Sequence, residues 1–278
     1  MITYPQIDPV LIHAGPLQIR WYGLMYIMGF MLGYQILRKR SAETKLNFDQ
    51  TVLMDFAFYL FVGVLLGGRI GYILFYNPVM FLKNPMEMAA LWHGGMSFHG
   101  GMIGTILSGW FFCYQKKVSF YRLADTVIPA IPVGLGLGRL GNFINGELWG
   151  RETNVPWAMI FPQDISGHPR HPSQLYEFVM EGVLLFAILW IGRRFNLPKG
   201  NLFWLFITFY GLFRLIGEQF REPDAQLMYL LPNMLPNVTA GMVLSLPMFV
   251  GGLVMFVLGY SSRWRRASAP VQPAEAAV

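Results

Sequence analysis

The residues from 138 to 151 form the segment of this chain best suited to chemistry. The segment reads GRLGNFINGELWGR, so arginine, two asparagines and a glutamate alternate with four glycines directly after a nearly uncharged apolar run. Polar groups at membrane depth cost free energy and usually serve a function. We therefore expect binding or catalysis at this segment, near one face of a bilayer.

Three arginines, Arg69, Arg139 and Arg214, lie within apolar windows of the sequence. A single arginine at such a position can extend its side chain so that the guanidinium group reaches the membrane surface. Three arginines toward the same membrane face favour a shared anion site instead, because the planar guanidinium group offers paired donors that match phosphate oxygens.

Polar residues also share one face of the sixth predicted helix. They are separated by four, four and three residues, a spacing that places them along one side of a helix, and they are Tyr210, Arg214, Glu218 and Arg221. Arg214 and Glu218 can form an ion pair that only neutralises itself. That alternative leaves Arg221 and Arg139 unexplained.

The residues after Arg139 extend the candidate site. Asn142 and Asn145 follow at steps of three residues, so both can line one side of a helix end and present amide donors and acceptors. For Glu147 we expect a role in holding an arginine in place rather than in catalysis.

His99 is the candidate for moving a proton, because histidine titrates near neutral pH. It lies in the segment GGMSFHGG at 94–101, whose glycines let another backbone or a substrate approach closely. A lone histidine is also often structural, and both interpretations stay open.

The sequence has no spacing typical of a metal site, a phosphate-binding loop, a dinucleotide-binding loop or an activated serine. Its single cysteine, Cys113, excludes an intramolecular disulfide and a cysteine metal cluster. We therefore expect neither a metal nor a cofactor. If the chain is an enzyme, its nucleophile comes from a substrate.

The composition indicates an all-α, polytopic membrane protein. Hydrophobic residues make up 54% of the chain and charged residues only 13%, whereas a soluble domain carries about 25% charged residues. Crossing a bilayer core takes about 20 apolar residues. Seven apolar windows predict seven transmembrane helices, near residues 20–38, 50–76, 96–115, 124–143, 173–192, 201–219 and 238–260.

The fourth and fifth windows are interrupted, by Pro129 and Pro132 in the fourth and by Glu181 in the fifth. Ser173 is predicted to cap the fifth helix.

Glycines separated by four residues predict close helix crossings, because small residues let membrane helices approach tightly. These glycines are Gly63, Gly67 and Gly71, then Gly100 and Gly104, then Gly134 and Gly138.

Basic residues predict the orientation, because they collect on the cytoplasmic side of membrane proteins. With seven spans and an outer N-terminus, thirteen of the 21 lysines and arginines flank one side and five flank the other. We therefore predict a periplasmic N-terminus and a cytoplasmic C-terminus.

The chain is then one transmembrane domain over 1–266, with outer excursions near 77–95 and 144–172, and a disordered cytoplasmic tail at 267–278. The cytoplasmic flanks account for the net charge of +6, so no nucleic acid partner is expected.

Six blocks of the sequence resemble, in order, those of the bacterial prolipoprotein diacylglyceryl transferases. The longest is GRLGNFINGELWG at 138–150, and a match of this length is far more specific than a glycine pattern. The others are RWYGLMY at 20–26, GRIGY at 68–72, GGMSFHGG at 94–101, HPSQLYE at 171–177, and a group of Phe213, Arg214, Glu218, Phe220, Arg221 and Glu222. The resemblance spans about residues 15 to 260.

The resemblance implies a seven-helix enzyme of the bacterial inner membrane with its site toward the periplasmic face. It implies transfer of the diacylglyceryl group of phosphatidylglycerol to the lipobox cysteine of a preprolipoprotein, with release of glycerol phosphate. These substrates suit the residues, since the lipid supplies a phosphate for the arginines and the protein substrate supplies the attacking thiol.

With this resemblance, the polar residues receive expected roles. Arg139 and Arg214 are expected to hold the lipid phosphate and to stabilise the departing glycerol phosphate. His99 is expected to accept the thiol proton or to polarise the headgroup. The residues expected to bind substrate are Tyr22, Arg69, Asn142, Asn145, Glu147, Tyr210, Glu218 and Arg221.

A membrane carrier or channel for an anionic solute is the alternative function, since intramembrane arginines and glycine-interrupted helices suit that class too. Two features favour the enzyme. The polar residues gather toward one face rather than at the midplane, and the sequence shows no clear inverted repeat. A purely structural scaffold does not explain the concentration of arginine, histidine and amide side chains.

Overall fold

The computed structural model describes residues 2–5, 7–14, 17–44, 46, 48–75, 97–222 and 238–267, and this part of the chain is mostly helical. It opens with an antiparallel hairpin of β1 (Val10–Ala14) and β2 (Leu17–Arg20). Ile12 pairs with Ile19 across the hairpin. The sequence predicts no strand here, because so short an alternation of apolar and polar residues gives a weak signal.

Seven helical segments follow within the described residues. They are α1 (Trp21–Glu43), α2 (Gln50–Phe75), α3 (Phe98–Lys116), α4 (Phe120–Asn145), α5 (Ser173–Gly192), α6 (Asn201–Gly217) and α7 (Ala240–Ala267). Each predicted apolar window therefore contains a helix, which confirms the helical reading of all seven windows.

Four of the described segments are long and apolar enough to cross a membrane, namely Gln50–Leu74, Phe120–Asn145, Ser173–Gly192 and Gly241–Ser261. The segment Asn201–Gly217 is apolar but shorter. Large apolar side chains on these helices point outward; Phe58 is 65% exposed and Leu74 is 61% exposed. Such surfaces suit a lipid environment and would be costly in water. The chain is therefore a helical membrane protein, while seven spans and their orientation stay predictions.

Two of the helices contain irregular turns at the residues that interrupt the apolar windows. In α4, a 3₁₀ turn at Ile128–Ala130 joins α-helices at Phe120–Val127 and Ile131–Asn145, because Pro129 and Pro132 lack the N–H groups that a regular helix needs. In α5, a π-helical turn at Phe178–Leu184 lies between Ser173–Glu177 and Leu185–Gly192. Ser173 is the first residue of α5 rather than its cap, so that prediction is wrong.

The chain divides into two compact units, residues 37–126 and residues 1–36 with 127–278. In the first of these, α2 packs against α3 through glycines. A Cβ atom at Gly71 would lie 2.7 Å from the Cα of Gly100, and one at Gly104 would lie 2.9 Å from the Cα of Gly67. No real Cβ tolerates such distances, so the predicted close crossing is confirmed for this pair of helices.

The other unit contains an apolar core between α5 and α6. Leu185 and Leu189 of α5 pack with Leu202 and Phe206 of α6. Helices α4 and α5 cross where Gly136 meets Gly182, and a Cβ at Gly136 would lie 3.0 Å from the Cα of Gly182. This contact brings the polar end of α4 beside α5.

Gly134 and Gly138 differ from each other. A Cβ at either position would meet no described atom within 4 Å, but a Cβ at Gly29 of α1 would lie 3.5 Å from the Cα of Gly134. Gly134 therefore lies where α1 approaches α4, whereas Gly138 shows no such contact within the described residues. The predicted excursion at 77–95 lies outside the described residues, as does the tail at 267–278 apart from Ala267.

The excursion after α4 is ordered around a small core of its own. Tyr4, Met159 and Phe161 are buried there, against Phe143 and Trp149. Helix α4 ends at Asn145 because Gly146 adopts a left-handed conformation with φ of 66°, and its N–H group bonds to the last turn of the helix. This turn starts the excursion directly behind the Asn142–Asn145 segment.

Candidate active site

Arg139 of α4 and Arg214 of α6 converge on two buried glutamates of α5. Nε of Arg139 lies 3.1 Å from Oε2 of Glu177, and its Nη2 lies 3.2 Å from Oε2 of Glu181. Nη1 of Arg214 lies 2.7 Å from Oε1 of Glu177 and 3.5 Å from Oε1 of Glu181. Three helices therefore place two guanidinium groups around one pair of carboxylates.

A third carboxylate completes this group. Arg214 also donates through Nη2 to Oε1 of Glu218, four residues later on the chain. The predicted pair of Arg214 and Glu218 is thus confirmed. The second oxygen of Glu218 accepts a hydrogen bond of 2.8 Å from the hydroxyl of Thr239. We call these five residues, Arg139, Glu177, Glu181, Arg214 and Glu218, the ion cluster.

The cluster is almost closed to its surroundings. The side chains of Glu177 and Glu181 are 1% and 0% exposed, whereas those of Arg139 and Arg214 retain 16% and 11%. Charges buried in this way persist only when they are paired, because an unpaired charge in a low-dielectric interior costs several kcal/mol. Most of the exposed part of the cluster therefore belongs to the two arginines, since Glu218 retains 6%.

Each of the two guanidinium groups has N–H donors that do not bond to the glutamates. Arg139 uses Nε and Nη2 for the glutamates, and its Nη1 donates to none of the described residues. Arg214 uses Nη1 and Nη2, and its Nε likewise has no hydrogen bond within the described part of the chain. Because arginine has five N–H donors, each residue can hold its glutamates and still bind an additional anion.

Beside the ion cluster, the signature segment forms an amide network. Nδ2 of Asn142 donates to Oε1 of Glu147 at 2.8 Å, and Nδ2 of Asn145 donates to the same oxygen at 3.3 Å. Among the described contacts, Glu147 holds these two asparagines and no arginine. The sequence-based hypothesis that it holds an arginine is therefore wrong. Its carboxylate instead fixes the two asparagines, because an ionised carboxylate is purely an acceptor.

The turn that carries Glu147 is strained and is held from α5. Leu148 has a positive φ of 58°, a conformation that costs a residue with a side chain about 1–3 kcal/mol. The carbonyl of Glu147 accepts a hydrogen bond of 2.6 Å from Gln174, and that of Leu148 accepts one of 3.0 Å from Ser173. Ser173 therefore fixes the signature turn instead of capping its own helix.

The buried acceptors without a hydrogen bond from the described residues include Oε2 of Glu177, which lies 3.1 Å from Nε of Arg139, and two amide oxygens in this region. The amide oxygens are Oδ1 of Asn145 and Oε1 of Gln174. Buried polar atoms normally have partners, so these two oxygens are positions where a substrate hydroxyl can donate.

Three further predicted residues surround these groups. The ring of Tyr22 covers Gly141, where a Cβ would lie 2.8 Å from its Cδ2. Tyr210 lies within electrostatic range of Arg139 and Arg214, one turn before Arg214 on α6. The backbone of Arg221 pairs with Gly150, and its side chain lies within electrostatic range of Glu177.

Arg69 and His99 belong to the other compact unit. Arg69 is 6% exposed, and its guanidinium carbon lies 5.9 Å from the centre of the Tyr72 ring. His99 lies in the first turn of α3, where the hydroxyl of Ser97 accepts a hydrogen bond from the N–H group of Gly100. The side chain of His99 is outside the described part of the structure, so its predicted role stays a prediction.

The excursion after α4 is tied to the site through Arg170, which the sequence alone does not single out. Nη1 of Arg170 contacts the Gly150 carbonyl at 3.4 Å and Glu222 at 3.3 Å, and Nε donates to Asp164. Although desolvation opposes it, the hydrogen bonds from Arg170 and Ser166 keep the pKa of Asp164 below its ordinary value. This ionised pair anchors the end of the signature segment.

Glu177 and Glu181 are the site residues that the sequence-based prediction omits. Glu181 is treated there as an interruption of an apolar window, although an ionisable residue within a membrane helix usually serves a function. The presence of an ionisable residue within a predicted membrane helix is therefore the sequence signal that could have identified Glu181. Its partners lie 42 and 33 residues away along the chain, so spacing within one helix does not reveal them.

Two grooves occur elsewhere on the described surface. One, of about 390 Å³, is apolar and lies between the far end of α5, the start of α6 and Phe256. The other, of about 300 Å³, lies in the excursion after α4, beside Glu152 and His168. Neither is lined by Arg139 or Arg214, so contact between these arginines and a lipid phosphate stays a proposal.

Comparison with known proteins identifies relatives along nearly the whole chain. The family model described as prolipoprotein diacylglyceryl transferase matches residues 9–258. Proteins named phosphatidylglycerol--prolipoprotein diacylglyceryl transferase are similar to it. The one from Geobacter sulfurreducens is 55% identical over 92% of this chain and 97% of its own, and the one from Bordetella avium is 52% identical over 93% and 97%.

A relative from Pseudomonas fluorescens is 48% identical over 98% of this chain and 99% of its own. The span matched by the family model, residues 9–258, covers the positions of the signature segment and of the ion cluster. The chain belongs to the prolipoprotein diacylglyceryl transferase family.

Proposed function

We propose that this protein transfers the diacylglyceryl group of phosphatidylglycerol to the lipobox cysteine of preprolipoproteins, the first step of lipoprotein maturation. The observation that carries the proposal is the convergence of Arg139 and Arg214 on one site in a chain of this family. Both guanidinium groups keep a donor that bonds to none of the described residues, and a site for a phosphate requires such donors.

The proposed reaction is a displacement at the carbon of the diacylglycerol unit that is bonded to the phosphate oxygen. The cysteine sulfur forms a thioether bond to this carbon, and the bond between carbon and phosphate oxygen breaks. The thiol proton passes to a base, and glycerol phosphate leaves with the electron pair of the broken bond. Arg139 and Arg214 stabilise the charge that develops on the leaving group, which is most effective for donors already fixed in a site that excludes water.

The amide network has a complementary role in this proposal. The phosphatidylglycerol headgroup ends in a glycerol with free hydroxyl groups, which donate and accept hydrogen bonds. Asn142, Asn145 and Glu147 shape the headgroup pocket, and the unpaired Oδ1 of Asn145 is available to one of these hydroxyls. Tyr22, Tyr210, Glu218 and Arg221 support the same site, and Arg69 stays a predicted substrate-binding residue.

The membrane arrangement belongs to the same proposal. The enzyme is a single domain over 1–266 that spans the bacterial inner membrane seven times, with a periplasmic N-terminus and a cytoplasmic tail at 267–278. Its active site lies toward the periplasmic face, where a signal peptide still holds the protein substrate. The basic residues on the opposite flanks support this orientation.

Transfer is tested with purified protein, phosphatidylglycerol vesicles and a synthetic lipobox peptide, followed by mass spectrometry. We expect the peptide to gain one diacylglyceryl mass at its cysteine, and a peptide with serine at that position to gain none. A protein that leaves the cysteine peptide unchanged but moves an anionic solute across vesicles would support the carrier instead.

The role of His99 is tested by the pH dependence of this reaction. If His99 accepts the thiol proton, His99→Gln lowers the rate on the order of 100-fold or more and removes the rise in rate with pH near neutrality. The matched control is His168→Gln, because His168 is exposed in the outer excursion. An unchanged rate and pH profile for His99→Gln would exclude it as the proton acceptor.

A further inference from the structure

We infer that Glu181 is a positioning residue that fixes the separation and orientation of Arg139 and Arg214 before the lipid binds. This inference rests on the proposed function and deepens it, because it assigns the geometry of the phosphate site to a residue that does not touch the substrate. It stands on the contacts of Glu181, its burial and the helix geometry around it.

The contacts form a double bridge. Oε2 of Glu181 receives Nε and Nη2 of Arg139 at 3.4 and 3.2 Å, while its Oε1 faces Nη1 of Arg214 at 3.5 Å. Glu177 divides its oxygens in the same way, with Oε1 toward Arg214 and Oε2 toward Arg139. Each carboxylate therefore contacts both arginines. Together the two carboxylates fix both the separation and the orientation of the guanidinium groups, which one carboxylate would not do.

The position of Glu181 prevents it from serving as a ligand for the lipid. Its side chain is fully buried, whereas both arginines retain an exposed part. A phosphate that approaches from the exposed side meets guanidinium donors first and leaves Glu181 behind them. Glu181 therefore acts on the substrate only through Arg139 and Arg214.

The helix is built to hold Glu177 and Glu181 against the same partners. The π-helical turn at Phe178–Leu184 widens α5 between and around the two residues, and such turns are rare and frequent at functional sites. The crossing at Gly136 and Gly182 brings Arg139 close, because Gly182 directly follows Glu181 and neither glycine has a side chain to separate the helices.

The charge balance separates a positioning role from an electrostatic one. The cluster holds three carboxylates and two guanidinium groups, so it already has an excess of negative charge if all are ionised. Removing the charge of Glu181 makes the site less repulsive to an anionic lipid. A fall in rate after that change therefore reflects lost alignment of the arginines and not weaker attraction of the phosphate.

The test uses three variants of the full-length protein in the peptide transfer assay. We expect Glu181→Gln to lower kcat on the order of 100-fold, the effect of a displacement of about 1 Å in a catalytic group, with KM for phosphatidylglycerol unchanged or lower. We expect a similar loss for Glu181→Asp, because its shorter side chain keeps the charge but cannot span both arginines. Glu152→Gln, an exposed glutamate of the outer excursion, is the matched control and keeps full activity.

A double-mutant cycle distinguishes positioning from general damage to the fold. In the Arg139→Lys background, which has lost the planar guanidinium group, Glu181→Gln is expected to cost less than tenfold. Additive losses, or full activity of either Glu181 variant, would overturn the positioning role. Wild-type protein that transfers nothing would overturn the proposed function and this inference with it, whereas active wild type with an equally active Glu181→Gln variant overturns this inference alone.

Discussion

Replacing Arg139 with alanine is expected to abolish lipid transfer, with a loss of at least about 1,000-fold. The change removes both the donors proposed for the phosphate and the contacts with Glu177 and Glu181. The two glutamates still retain Arg214 as a partner, so the fold is expected to survive. The measurement is the rate of transfer to a lipobox peptide by purified protein whose elution profile and thermal unfolding match those of wild type.

The matched control is Arg194→Ala. Arg194 is exposed just beyond the far end of α5, where a guanidinium group contributes surface charge alone. Full activity of Arg194→Ala beside an inactive Arg139→Ala assigns the effect to position. A purified Arg139→Ala variant with wild-type activity would remove Arg139 from the phosphate site.

Arg214→Ala is expected to abolish transfer and also to destabilise the protein. Arg214 contacts Glu177, Glu181 and Glu218, whereas the ion pairs of Arg139 are with Glu177 and Glu181. Removing one partner of a buried ion pair costs about 3–5 kcal/mol, because the other charge stays buried. We therefore expect a clearly lower unfolding temperature in detergent than for Arg139→Ala.

The comparison of the two alanine variants is itself informative. Arg214→Lys keeps the charge but offers a point donor in place of the planar fork, so it should recover much of the stability and little of the rate. Equal stability of Arg139→Ala and Arg214→Ala would show that the contact with Glu218 contributes nothing measurable. Wild-type activity of Arg214→Lys would contradict the need for a second guanidinium group.

Features encoded in short stretches of the sequence could be predicted. The apolar windows predict helices because each is a continuous run of residues with one composition, and each window contains a helix. The pairing of Arg214 with Glu218 depends only on a spacing of four residues, and it is confirmed. The close approach of Gly71 to Gly100 follows from glycines at helical spacing on two adjacent helices.

Features that depend on contacts between distant segments could not be predicted in the same way. Glu181 interrupts an apolar window when it is read alone, and its function becomes visible only when α4 and α6 bring two arginines to it. The predicted arginine partner of Glu147 is not among its described contacts, because Asn142 and Asn145 donate to its carboxylate instead. Ser173 bonds to Leu148 rather than to its own helix because the signature turn folds back onto α5.

The residue roles that remain proposals share one physical origin. A lipid phosphate binds hydrogen-bond donors from several helices. The residue pattern within one helix does not indicate which of these donors remain unbonded once the arginines have paired with the carboxylates of the protein. In this chain, Arg139 and Arg214 satisfy two or three carboxylates each and still keep donors available. That surplus is the basis for assigning both to the substrate.

The most direct test of this account is a structure of the protein in a bilayer nanodisc that contains phosphatidylglycerol. The account predicts that the phosphate oxygens of one lipid lie within about 3 Å of guanidinium nitrogens from both Arg139 and Arg214, while Glu181 keeps its contacts with both arginines. A headgroup bound at another site, with Arg139 and Arg214 engaged only by their glutamates, would contradict it.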